Sequence, residues 1–119
     1  MGDQRVGRTC IRVFPEYGVE FPLWGAPPVG SPRGTEYHIG PYLPEDLPPL
    51  SVWLYRDLRD WSNRWARWVA EEMGEVEPSV HSVRELQQRE LLWKEQGRQL
   101  CQRLQEELGE SYTVIYDVR

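Results

Sequence analysis

Two hydrophobic stripes at helical spacing constrain this chain more than any other feature. Between Ser51 and Met73, Leu54, Leu58, Trp61, Trp65, Trp68 and Val69 recur three or four positions apart or side by side. On a helix of 3.6 residues per turn they form one stripe about 100° wide, while Tyr55, Ser62, Asn63, Arg64 and Arg67 fall outside it. The three tryptophans of DWSNRWARW therefore read as the inner face of a helix. Ser51 supplies a capping oxygen, Leu50 and Tyr55 form a staple, and Gly74 marks the end near Met73.

The second stripe holds Val83, Leu86, Trp93, Gly97, Leu100, Cys101, Leu104 and Leu108. Ser82 and Glu85 fit a capping box at its start, and Gly109 marks its end. A helix over Ser82–Leu108 would be about 40 Å long at 1.5 Å per residue. That exceeds the width of a small domain, so its N-terminal end is expected to bend, project or begin a turn later. Gly97 costs roughly 1 kcal/mol relative to alanine inside a helix. Such a cost is easiest to accept where an indole of the first helix comes close.

Around the helices the pattern changes to short β segments. TCIRVF, Thr9–Phe14, carries β-branched and aromatic residues and reads as a strand, with the C-terminal SYTVIYDVR as its pairing partner. PEYG, Pro15–Gly18, reads as a turn, and VEF, Val19–Phe21, as a short strand that Pro22 ends or holds at an edge. Residues 22–49 hold eight of the ten prolines and four of the ten glycines. This Pro/Gly-rich region is either mobile or pinned across the core by Trp24, Tyr37, Ile39, Tyr42 and Leu43. Within it EYHI, Glu36–Ile39, reads as a short strand and Gly25–Gly34 as a flexible loop, while Met1–Gly7 reads as a loose start. The expectation is a single α+β domain spanning 1–119, in which a small β-sheet packs in two layers against two helices beside a long Pro/Gly-rich loop.

Composition narrows the function classes. A net charge of −5, with arginines scattered among acids, gives no basic patch, so nucleic acid is not expected as a partner. No apolar run approaches the ~20 residues of a membrane span, and no leader pattern is present. The chain therefore reads as cytoplasmic, with no membrane partner. In that setting Cys10 and Cys101 read as buried reduced thiols.

No coherent reactive constellation emerges. His38, His81 and the two cysteines lack the close spacings of a zinc site, and neither GxGxxG, a P-loop nor GxSxG occurs. Neither a catalytic residue nor a metal or other cofactor is assigned. The carboxylate pairs Glu45–Asp46, Glu71–Glu72 and Glu106–Glu107 read mostly as helix surface or termini, since adjacent helical residues point about 100° apart. The least explained side chains are Trp53, Leu91 and Leu92 outside the stripes, Glu90 inside the second one, and Trp24 and Tyr42 in the Pro/Gly-rich region. These six form the expected interaction surface.

PEYGVEFPLW, LPPLSVWLYRDLRDWSNRW and LWKEQGRQLCQRLQEELGESYTVIY together resemble a group of small actinobacterial proteins. The matching positions are Tyr17, Gly18, Pro22, Leu23, Trp24, Leu50, Ser51, Trp61, Trp65, Gly97, Leu100, Leu104, Glu107, Leu108 and Gly109. No established activity attaches to that group, so the resemblance implies a complete domain and supplies no functional residue.

Acidic charge, abundant aromatics and the lack of a reactive constellation point to a non-enzymatic interaction or accessory protein of immunity type, with another protein as partner. The alternative is a module that binds a small molecule or peptide in a pocket between the Trp-bearing helix and the Pro-rich loop. Self-association through Leu91 and Leu92 stays open, since two residues do not make a heptad seam. Because Gly97 is read as the place where an indole enters, Gly97→Leu is expected to lower the melting temperature by overpacking; an unchanged thermal unfolding curve would refute that reading.

Overall fold

A computed structural model describes residues 9–19, 21–27 and 37–118. Its elements in chain order are β1 (Thr9–Val13), β2 (Leu23–Ala26), a short 3-10 turn (Pro44–Asp46), α1 (Val52–Glu72), α2 (Val83–Leu108) and β3 (Tyr112–Tyr116). The sheet order is β2-β1-β3, with β1 antiparallel to β2 and parallel to β3. The helices pack on this sheet, giving the two-layer α+β architecture. The expected start at Met1–Gly7 lies outside the described residues, as does most of the Gly25–Gly34 loop.

Central strand β1 places Ile11 and Val13 in the core beside Leu23 of β2, and Val114 and Tyr116 of β3 pack against the same cluster. The return strand begins later than VEF. Gly18, at φ +82°, makes the turn closed by Val19 N–H and Glu16 O, and pairing starts only after Pro22. Proline has no N–H to give, but its carbonyl accepts from Phe14 N at 3.1 Å. EYHI does not form a strand over its described residues. Instead Gly25 N donates to Gly40 O at 2.9 Å and Tyr42 N to Leu23 O at 2.7 Å, covering the outer edge of β2. On the opposite edge the Gln105 amide takes the place of a strand. It donates to Tyr112 O at 2.8 Å and accepts from Val114 N at 2.9 Å. Backbone groups covered in this way are not open to another chain.

Part of the Pro/Gly-rich region is held down. Tyr42 and Leu47 enter the core, and Trp24 is half-buried, whereas Tyr37, Ile39 and Leu43 face solvent. Pinning therefore works through Tyr42, Leu47 and the β2 edge contacts.

Both helix starts are capped as expected. The Ser51 hydroxyl accepts from Leu54 N and the Ser82 hydroxyl from Glu85 N, each at 3.1 Å. Caps of this kind contribute about 1 kcal/mol each. Leu54, Leu58 and Trp61 are buried, while Trp65 and Trp68 are half-buried against the same core. Trp61 and Trp93 stack with centroids 4.4 Å apart and planes 4° from parallel. Each indole N–H donates to the other residue's backbone oxygen, Trp61 Nε1 to Trp93 O at 2.8 Å and Trp93 Nε1 to Trp61 O at 2.9 Å. Gly97 lies directly beneath them: a Cβ there would stand 2.6 Å from Trp61 Cζ2 and 2.8 Å from Tyr116 Cε1.

The long second helix projects. From Trp93 onward its stripe is buried, but Val83 is 70% and Leu86 44% exposed. Glu90, within that stripe, is exposed and pairs with Lys94 at 3.1 Å.

Two polar residues outside the stripes are buried, contrary to expectation. Ser62 faces inward from α1, and Glu71 is enclosed rather than on the helix surface. Glu71 accepts from Ser79 Oγ at 2.7 Å, Ser79 N at 3.2 Å and Arg89 Nη1 at 3.0 Å, and Arg89 in turn lies over the Trp68 ring at 4.3 Å. The Ser79 hydroxyl bond, followed by Arg89, holds the Glu71 carboxyl below the usual carboxylate range despite burial. A group whose folded value is depressed stabilises the fold above its unfolded value, and that contribution is lost as pH falls through the folded one. Compared with Glu71→Gln, the unaltered chain is therefore expected to be the more stable at neutral pH, and the gap to close on the acid side of pH 4.5; urea unfolding of both proteins across that range measures it.

Candidate functional site

Each residue of an α-helix turns about 100°, so spacings of four and three repeat one flank. Trp53, Asp57, Asp60, Arg64 and Arg67 follow that rule along α1, and Leu92, Gln96, Gln99 and Arg103 follow it along α2. The antiparallel pairing of the helices brings the two flanks together. Between them lies a groove of about 780 Å³, lined by Asp57, Asp60, Asn63, Arg64 and Arg67 of α1 and Gln96, Gln99, Leu100 and Arg103 of α2. Its location differs from the expected pocket, because none of these lining residues belongs to the Pro/Gly-rich region.

The groove has one closed charge pair and several open groups. Arg103 Nη1 lies 2.7 Å from Asp57 Oδ2, and Arg67 Nε sits 4.0 Å from Glu71 Oε1. Asp60, Asn63, Arg64, Gln96 and Gln99 have no hydrogen-bond or ion-pair partner among the described residues. Beyond the Asp57 end stands Trp53, 68% exposed, with the Arg56 guanidinium 5.5 Å from its ring centroid. Helical spacing puts Leu92, also 68% exposed, one turn before Gln96 on the α2 flank.

Amides, guanidinium groups and carboxylates line this surface, without a thiol, hydroxyl or imidazole among the described residues. Cys101 lies elsewhere, in the core, where burial pushes its thiol up to about 12 and away from nucleophilic behaviour. Neither cysteine is in a disulfide. Among the described residues no group of three or more His, Cys, Asp or Glu stands together to hold a metal. No described helix is long and apolar enough to cross a membrane.

The six side chains singled out from the sequence do not share one surface. Trp53 and Leu92 fall on the groove flanks. Trp24 stacks on Phe14 at 4.8 Å and donates its Nε1–H to Phe14 O at 3.0 Å. Tyr42 stacks on His38 at 4.0 Å and lies in the core, where burial and then neighbouring Tyr112 raise its pKa. Glu90 and Leu91 are exposed on α2 outside the groove lining. Sequence reasoning passed over Asp60, Arg64, Gln96 and Gln99 because it followed the apolar stripes; the signal was the same period, read in the polar residues.

Residues 9–119 match the family described as Serratia CdiI immunity protein-like. The chain belongs to this family. A comparison with individually curated proteins finds no match. Membership overturns the resemblance to uncharacterised actinobacterial proteins. The residues that carried it include Gly18 and Gly109, both at positive φ, and Gly97 beneath Trp61, positions that the turns and the helix packing require. The match agrees with a non-enzymatic interaction protein of immunity type.

Exposed ion pairs contribute little in water, so the Asp57–Arg103 contact should act on the groove's shape more than on stability. A double-mutant cycle with Asp57→Ala and Arg103→Ala, read by urea unfolding, is expected to give a coupling of about 0.2–1 kcal/mol.

Proposed function

We propose that this chain is an immunity protein that binds a toxin protein in the cytoplasm and neutralises it by occupying its surface. The family match over residues 9–119 carries this reading. The helix-pair groove supports it, since its charged and amide side chains can pair with those of a protein partner. Two buried cysteines outside any disulfide are compatible with a reducing compartment.

Neutralisation by binding has a stoichiometric signature. The test produces this chain in a bacterium together with each of a panel of toxin domains partnered with immunity proteins of this family. Growth is expected to be restored against one of them, with an equimolar complex recovered and toxin activity titrated away one-to-one. Protection at far less than one equivalent would mean turnover and sink the binding mechanism. Failure to protect against or bind any toxin in the panel would sink the immunity reading.

A further inference from the structure

Most of the described arginines already have partners. Arg12 pairs with Asp117, Arg89 with Glu71, Arg98 with Glu95, and Glu107 accepts from the Ser51 amide and hydroxyl. Among the described arginines only Arg64 and Arg84 lack an ion pair, a hydrogen bond and a ring contact. Arg64 is in the groove. Asp60 lies one turn before it, at the i,i+4 spacing that permits a pair, yet the two are not joined.

We infer that this groove is the toxin-binding face, and that it takes a toxin segment carrying an acidic and a basic side chain about one helical turn apart. The inference deepens the immunity reading and rests on it. The acidic side chain sits at Arg64, with Arg67 beside it, and the basic one at Asp60. A guanidinium can hold a carboxylate by two parallel hydrogen bonds, which fixes register as well as attraction. Gln96 and Gln99 face the same space from α2 and can satisfy the segment's backbone. The volume of about 780 Å³ is within the ~300–1,000 Å³ range of sites that seat small ligands, enough for a few side chains of a loop. At one end, Trp53 backed by Arg56 offers an aromatic–guanidinium pair of the kind found at interface anchors, and at the other the exposed Leu92 adds apolar area. The net charge of −5 draws in a basic partner over longer range, while the groove sets its orientation.

The sheet's outer face is a weaker candidate because Arg12 and Asp117 already satisfy each other there. So is the projecting start of α2, where nothing in the structure indicates what would cover Val83 and Leu86.

The probe is the toxin domain against which the unaltered chain protects. Arg64→Glu and Asp60→Lys are each expected to weaken that complex by on the order of 100-fold, the scale of a desolvated interfacial charge pair. Arg84→Glu makes the same charge change as Arg64→Glu outside the groove and is expected to leave affinity within about threefold of the unaltered chain. Melting temperatures of all three variants should match the unaltered chain. Replacing the contacting toxin acid by arginine should restore binding to Arg64→Glu, a rescue that repair of the fold cannot mimic. Equal binding by the groove variants, or equal loss with Arg84→Glu, overturns the groove assignment and leaves the immunity reading intact. If the unaltered chain binds no toxin, both fall.

Discussion

The contact on which this structure depends is the reciprocal clasp of Trp61 and Trp93. Stacking alone contributes about 0.5–1.5 kcal/mol beyond the area buried. The two N–H donors add a second constraint, because a buried indole without an acceptor loses the hydrogen bond it would make in water. Each ring finds its acceptor on the opposite backbone, so the helices cannot slide along each other without breaking both bonds. Gly97 allows the close approach, and Tyr116 closes the site from the sheet while donating to Lys94 O at 2.9 Å.

Polar contacts at the two ends reinforce the same alignment. Glu107 receives the start of α1 through Ser51, and Glu71 gathers the interhelical connection through Ser79 and Arg89. Once the helices are fixed this way, their outward flanks have only one relative position. The groove is thus a consequence of core packing. Its polar groups stand where the core leaves them, held by a rigid pair of helices rather than by loops, which suits a surface that must present charges at a set spacing.

Much of this was legible along the chain. Serine caps, both stripes, the Gly97 approach and the pairing of TCIRVF with the terminal strand follow from local chemistry and helical period. Glu71 was misjudged because its burial depends on Ser79 and Arg89, residues eight and eighteen positions later. The VEF strand failed because the register Val13↔Leu23 places the pairing beyond Pro22. The resemblance to uncharacterised actinobacterial proteins is replaced by the family match over residues 9–119. The immunity-type expectation came instead from charge, aromatic content and the lack of a reactive set, and it agrees with the family match.

By itself the sequence determined the inward face of α1 from Leu54 to Trp68 and of α2 from Trp93 to Leu108, because burial there follows the helical period, whereas Glu71, Val83 and Leu86 depart from it. It also determined where the helices start and stop, since capping is a contact among near neighbours. Only the tertiary structure decided that Trp53 and Leu92 flank one groove while Trp24 and Tyr42 lie elsewhere. It alone left Asp60 and Arg64 open while closing Asp57 onto Arg103. Those choices depend on how two helices are aligned, and that alignment is set by an indole from each reaching the other's backbone across 32 residues of chain.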